Sequence, residues 1–89
     1  INGDNMNPEV KLNATDMRNL AELTELLNVN ITLSVWLEGI YQANWKKEAS
    51  SYMWRSNTNL IEIARNQDYK NMTVCTPEEL INSLKFVGA

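Results

Sequence analysis

The stretch Val-Asn-Ile-Thr-Leu-Ser-Val-Trp-Leu, residues 29–37, alternates between apolar and polar side chains. Apolar residues occupy every odd position, whereas Asn30, Thr32 and Ser34 occupy even positions, followed by Trp36. A period of two places the five odd-numbered side chains on one face of a β-strand and the polar ones on the other. The stretch therefore predicts a strand rather than a helix, and it decides the fold class.

A helix is predicted before this strand. Apolar residues recur at helical spacing between residues 17 and 27, with glutamates on the opposite face, which indicates an amphipathic helix over residues 15–28. Either Asn13 or Thr15 can cap its first turn. Asn28 is a plausible terminator, because asparagine tolerates the left-handed conformation that ends many helices.

A second helix is predicted at the end of the chain, over residues 76–87. Thr76 is the expected N-cap, Pro77 occupies the first helical position, and Glu79 completes a capping box. Leu80, Ile81 and Leu84 follow at the spacing of a buried stripe.

The segment between the two helices predicts further strands. Glu38-Gly39 suits a turn or bulge, residues 40–45 continue as an edge strand or a loop, and residues 72–75 form a short strand. Aromatic and branched residues at 51–55 and 60–65 flank the turn formers at 56–59, which is typical of a hairpin. The alternative is one helix running from Trp54 to Ala64, which the turn formers would interrupt.

We therefore expect an α+β fold in the order α-β-β-β-α. Three or four antiparallel strands across residues 29–75 would carry both helices on one face. The expected core consists of Leu20, Leu23, Leu27, Ile31, Leu33, Val35, Leu80, Ile81 and Leu84.

The 89 residues suffice for one domain, which we place at residues 14–89. Residues 1–13 are rich in asparagine and are expected to form a flexible arm. Ile1–Asn5 reads as a non-native remnant ahead of a start at Met6, and a processed or excised fragment is the alternative.

The residue inventory argues against catalysis. The chain has no histidine, which excludes Ser–His and Cys–His nucleophiles, and its single cysteine, Cys75, can form neither an internal disulfide nor a cysteine-based zinc site. Cys75 could have a lowered thiol pKa beside the incoming helix, but a buried small hydrophobe is favoured because Val74 and Leu80 resemble core residues. We expect no enzyme activity, no cofactor and no metal.

The net charge of −3 is unevenly distributed. Residues 41–75 carry five basic and three acidic residues, whereas residues 1–40 carry two basic and six acidic ones. No apolar stretch approaches the roughly 18 residues of a membrane span, and no signal-peptide pattern opens the chain. We therefore expect no membrane association and favour a cytoplasmic location.

One stretch of the sequence and the predicted order of elements each resemble a nucleic-acid-binding family. Glu22–Val29 followed by Trp36–Gly39 resembles the helix-turn-helix of phage-repressor-type domains, which implies DNA binding. It departs from that pattern at Thr24 and Asn28, and its second helix is replaced by strand alternation without basic residues. The order α-β-β-β-α is similar to that of double-stranded-RNA-binding domains, but Pro77-Glu78-Glu79 stands where those domains carry lysines and would repel phosphate.

Aromatic and basic residues concentrate in the central third of the chain, and such side chains commonly anchor protein interfaces. Trp36 has the parity of the polar face of its strand, whereas Trp45 and Trp54 could equally be core residues. We expect a non-enzymatic protein-binding module, such as an inhibitor, adaptor or immunity-type protein. A second copy of the chain, forming a homodimer, is a further candidate partner. The alternative is a nucleic-acid-binding or transcription-regulating domain that uses the basic segment at 41–75, including Arg65. The candidate partner-binding residues are Trp36, Tyr41, Trp45, Lys46, Lys47, Tyr52, Trp54 and Arg55.

Overall fold

A five-stranded antiparallel sheet follows one helix and precedes another in the computed structural model, which describes residues 12–88. The strands follow one another across the sheet in chain order. The α+β class is confirmed, but the expected number of strands was too low. The elements are α1 (Ala14–Leu27), β1 (Ile31–Leu37), β2 (Ile40–Lys47), β3 (Ser50–Arg55), β4 (Leu60–Ala64), a 3₁₀ helix (Arg65–Gln67), β5 (Thr73–Cys75) and α2 (Pro77–Gly88).

An asparagine closes each end of α1, as predicted. The Asn13 side chain accepts a hydrogen bond of 2.7 Å from the Asp16 amide, which satisfies one of the unpaired donors in the first turn. Asn28 ends the helix in the left-handed conformation, with φ 58°, and its amide donates to the Thr24 carbonyl. The chain then turns directly into β1.

The capping box of α2 is confirmed. The Thr76 amide donates to Glu79 Oε1 at 2.8 Å, and the Glu79 amide donates to Thr76 Oγ1 at 3.1 Å. Pro77 occupies the first helical position, where its missing N–H leaves no hydrogen bond unmade.

The predicted hairpin is also confirmed, and the alternative helix through Trp54 is excluded. Strands β3 and β4 pair from Ser51 with Ala64 to Arg55 with Leu60. The turn between them ends at Asn59, whose φ is 57° and whose side chain accepts a 2.8 Å hydrogen bond from the Trp54 indole N–H.

Strand β2 corrects the expectation of an edge strand or loop at residues 40–45. It is eight residues long and pairs on one side with β1 and on the other with β3. The helix-turn-helix resemblance is overturned as well, because its second helix falls in β1. Two-residue turns at Glu38-Gly39 and Glu48-Ala49 connect these strands, and Gly39 and Glu48 adopt positive φ in them.

The core lies between the two helices and the middle of the sheet. Both helices contribute their predicted apolar stripes to one cluster, whose other members come from β2, β3 and β4. The buried members are Leu20, Leu23, Leu27, Ala43, Trp45, Trp54, Ile61, Ile63, Leu80 and Ile81.

Two expected core residues lie outside this cluster. Leu33 is 47% exposed and Val35 is 63% exposed, because β1 is an edge strand and the helices centre on its neighbours. Ile31 and Leu84 are partly buried against the cluster. Leu12 and Asn13 correct the expectation of a flexible arm over residues 1–13, because Leu12 packs against the cluster and Asn13 caps α1. Residues 1–11 of that arm lie outside the described residues.

Helix α1 is tied to β2 by two polar contacts. The Trp45 indole N–H donates to Thr24 Oγ1 at 2.9 Å, and this hydroxyl donates in turn to the Leu20 carbonyl at 2.8 Å. Lys47 Nζ donates to the carbonyl of Leu27, the last residue of the helix, at 2.7 Å. The Trp45 contact gives a buried indole N–H its partner, which an apolar neighbour could not provide.

The substitution Thr24→Val is expected to destabilise the fold by about 1–3 kcal/mol, because it keeps the side-chain shape and leaves the Trp45 N–H without an acceptor. Chemical denaturation measures this change. Thr15→Val, on the exposed first turn of the same helix, is the matched control and should change stability by about 0.5 kcal/mol or less. Equal effects of the two substitutions would contradict the role given to the Trp45–Thr24 hydrogen bond.

Candidate protein-binding surface

The sheet has two unlike faces. The helix face carries Trp45 and Trp54 and lies under α1 and α2. We call the other side the open face, because its side chains alternate with those that meet the helices. By strand register it carries Thr32, Ser34, Leu37, Ile40, Gln42, Asn44, Lys46, Ser51, Met53, Arg55, Leu60, Glu62, Ala64 and Val74. Trp36, at the irregularity between Val35 and Leu37, has no register partner and is placed on this face by its contact with Arg55.

The eight candidate residues divide between the two faces. Trp45 and Trp54 are each 1% exposed, so no partner can reach them, and they are core residues. Tyr41 and Tyr52 lie partly buried on the helix face. Lys47 belongs to that face too, where its ammonium group is bound to the end of α1.

Three candidates remain on the open face, namely Trp36, Lys46 and Arg55. Trp36 is 42% exposed and lies at a β-bulge, where the register between β1 and β2 shifts between Val35 and Leu37. A bulge bends its strand and redirects the side chain that it carries. At this bulge the Trp36 ring reaches a residue of β3.

That residue is Arg55. Its guanidinium carbon lies 3.6 Å from the centroid of the Trp36 ring, a cation–π contact made over β2. Arg55 Nε donates to Gln42 Oε1 at 2.9 Å, from the β2 residue that pairs directly with Arg55. Among the described residues, no hydrogen-bond acceptor takes the remaining guanidinium N–H groups of Arg55, which is only partly buried.

A shallow groove begins at this Trp36–Arg55 pair. Its volume is about 80 Å³, and it continues past the side chains of Met53, Leu60 and Glu62 to the β3–β4 turn. Sites for cofactors or drug-sized ligands are typically about 300–1,000 Å³. At about 80 Å³ the groove is smaller than such sites.

The groove residues of the hairpin were missed by sequence reasoning. Met53 and Leu60 attract no attention as single residues, because neither belongs to a recognisable motif. The signal that could have found them is parity, since Met53 and Arg55 share a face of β3 and Leu60 pairs with Arg55.

The opposite end of the open face is closed by the chain itself. The amide of Gln67, in the 3₁₀ helix, donates to the Ala49 carbonyl at 3.0 Å, and the Tyr69 hydroxyl lies 3.4 Å from Ser51 Oγ. Ala64 has open-face parity and is nevertheless only 1% exposed. These contacts cover Ala64, so this corner of the open face is not accessible to a partner, whereas Trp36 is.

The basic residues of the central segment do not form a continuous strip. Lys46 is exposed on the open face, Lys47 lies on the helix face, and Arg65 donates to Thr73 Oγ1 at 3.2 Å beside β5. Nucleic-acid surfaces normally align several cations along the path of the phosphates. The arrangement here separates them.

Cys75 lies half-buried in β5, before the first turn of α2. Burial raises the pKa of its thiol, and Glu79 raises it further, whereas Arg65 acts in the opposite direction. The thiol is therefore more protonated than an exposed one at the same pH. This agrees with the prediction that Cys75 packs as a small apolar side chain.

Residues 12–88 contain no group of three or more potential metal-ligating side chains, and no helix among them has the length and hydropathy needed to cross a membrane. No protein-family model matches the chain, and neither a curated protein nor a solved structure shows significant similarity to it. The chemistry of the open face is therefore the basis for any functional proposal.

The substitutions Trp36→Ala and Trp54→Ala should have unequal effects on folding. Loss of the exposed Trp36 ring is expected to cost about 1 kcal/mol, chiefly its contact with Arg55. Loss of the buried Trp54 ring should cost about 3–5 kcal/mol, because it leaves a cavity in the core. Urea denaturation of both variants measures the free energy of unfolding. A larger decrease for Trp36→Ala than for Trp54→Ala would show that Trp36, and not Trp54, lies on the buried face of the sheet.

Cys75 should react slowly with a thiol reagent in the folded protein. At about pH 8, near the pKa of an unperturbed thiol, a raised pKa leaves less thiolate than in the unfolded chain. The pH at which the reaction rate reaches half its maximum should accordingly be higher in native buffer than in denaturant. Stopped-flow absorbance gives both profiles, and a lower native midpoint would contradict the burial assigned to Cys75.

Proposed function

We propose that this chain is a non-enzymatic protein-binding module whose contact surface is the open face around the Trp36–Arg55 pair. The observation that carries the proposal is an exposed tryptophan stacked at 3.6 Å under an arginine whose Nε is already held by Gln42. Tryptophan and arginine are the side chains most enriched among the energetic centres of protein interfaces.

The preorganisation of Arg55 favours binding. A free arginine loses rotational freedom when it binds, and this loss reduces affinity. Here the Trp36 ring and the Gln42 amide have already restricted the guanidinium in the unbound protein. A partner therefore meets N–H donors in a fixed arrangement.

The same geometry suggests what the partner supplies. A planar guanidinium with free N–H groups binds a carboxylate through two parallel hydrogen bonds. Beside it, Met53 and Leu60 offer apolar contact within the groove. An acidic side chain next to an apolar one, on the surface of another protein, would complement both halves of this surface.

The nucleic-acid alternative has less support from this geometry. Base stacking needs accessible aromatic rings along a basic groove, but two of the three tryptophans are 1% exposed. Lys47 and Arg65 are engaged elsewhere. This leaves Lys46 and Arg55 on the open face, which is a small electrostatic footprint.

Trp36→Ala is expected to weaken partner binding by about 2 kcal/mol or more, which corresponds to roughly thirtyfold in the dissociation constant. Arg55→Lys should also weaken binding, because lysine keeps the charge and loses both the fork and the stacking geometry. The immobilised wild-type chain recovers the partner from a cell extract, and calorimetry with the purified partner then gives the affinities.

The matched control is Val74→Ala, at the β5 end of the open face, where the side chain is 54% exposed. It should bind as the wild type does. A fluorescent oligonucleotide titrated at several salt concentrations tests the alternative function. Steep salt dependence of oligonucleotide binding, without a protein partner sensitive to Trp36→Ala, would refute the proposal.

A further inference from the structure

The outer edge of β1 differs from the other edge of the sheet. Strand β1 is seven residues long and, within residues 12–88, it pairs only with β2. Strand β5, at the opposite edge, has only three residues. An edge strand exposes unpaired N–H and C=O groups, and monomeric proteins usually protect a long one with charges or proline.

Strand β1 lacks those protective residues. The chain carries neither a charged residue nor a proline between Leu26 and Leu37. The strand is regular over residues 31–35, and its bulge comes only after Val35. Within residues 12–88, no strand pairs with the outer side of this five-residue segment, which can therefore pair with another strand.

Apolar surface continues from this edge onto the helix face. Leu33, Val35 and Met17 are 47%, 63% and 52% exposed. A groove of about 220 Å³ between α1 and β1 is lined almost entirely by apolar side chains, including Leu12 and Ile31. Exposed apolar surface beside a free strand edge is typical of a surface that becomes covered.

We propose that a second copy of this chain covers this edge, with the two β1 strands paired antiparallel around a two-fold axis at Leu33. Ile31 of one copy then lies opposite Val35 of the other, Thr32 lies opposite Ser34, and Leu33 meets its own counterpart. The two sheets become one sheet of ten strands. A two-fold interface requires a self-complementary patch, and this register pairs apolar with apolar and hydroxyl with hydroxyl residues.

Charge favours a second copy at this place. The chain has a net charge of −3, so two copies repel each other on average. The stretch from Leu26 to Leu37 is uncharged and can meet itself without repulsion. Backbone hydrogen bonds along five residues then supply the attraction, as in strand addition to a sheet edge.

The dimer is independent of the proposed partner surface. Leu33 and Val35 lie on the helix face, whereas Trp36 lies on the open face beyond the paired segment. Failure of one proposal therefore leaves the other standing.

Sedimentation equilibrium of the full chain tests the dimer. Wild type should be a concentration-dependent dimer, whereas Leu33→Lys and Leu33→Glu should each raise the dissociation constant about tenfold or more, because like charges would face each other across the axis. An equimolar mixture of these two variants should dimerise again, because lysine then faces glutamate. Circular dichroism confirms that each variant is folded.

Val74→Lys, at an exposed valine on the opposite edge strand, is the matched control and should dimerise as the wild type does. Hydrogen exchange should show amides of residues 31–35 becoming more protected as concentration rises. A wild-type chain that remains monomeric would overturn the proposal, whether its β1 amides are open or are protected equally at all concentrations. A dimer that Val74→Lys disrupts and Leu33→Lys leaves intact would also overturn it.

Discussion

Two tryptophans on neighbouring strands determine how the sheet meets its helices. Trp45 on β2 and Trp54 on β3 are both 1% exposed, and they are the largest of the fully buried side chains. Trp54 lies directly across from Ala43, whose small side chain leaves room for the indole ring. This alternation of large and small residues allows two bulky rings to share one layer of core.

The indole N–H groups constrain this core further. Trp45 donates to Thr24 on α1, and Trp54 donates to Asn59 in the β3–β4 turn. Each ring is therefore fixed both by apolar contact and by a hydrogen bond whose loss inside the core would be costly. Because α1 is held over β2, the helices leave β1 at the margin, and the exposure of Leu33 and Val35 follows from that placement.

Local features of the fold were predictable from sequence, because local chemistry determines them. The caps at Asn13 and Thr76 and the parity of residues 29–37 involve neighbours within a few positions. The order of the strands depends on long-range pairing, so the alternating pattern of residues 29–37 predicts a core strand although β1 lies at an edge. Strand β2 is not recognisable from its sequence, because its open-face residues, such as Asn44 and Lys46, resemble those of a loop.

The candidate site was predictable to a smaller extent, for a related reason. Aromatic residues serve both cores and interfaces, and only the strand register separates the two uses. Parity within β1 correctly directed Trp36 away from Leu33 and Val35. No comparable local rule indicated that Trp45 and Trp54 would lie under helices, since that requires the pairing of Ala43 with Trp54. The contact of Trp36 with Arg55 spans three strands and was likewise out of reach of local patterns.

The two faces of β1 differ in polarity, and both are exposed because the helices pack on the middle of the sheet and do not extend over this edge strand. Up to the bulge, its odd-numbered residues continue the apolar face beyond the helices, and its even-numbered residues continue the polar open face. The bulge after Val35 separates these roles along the strand, with a regular segment before it and the redirected Trp36 ring within it. A regular edge favours strand pairing, whereas a bulge interrupts a ladder and re-aims a side chain. Seven residues can therefore present two distinct surfaces without either one blocking the other.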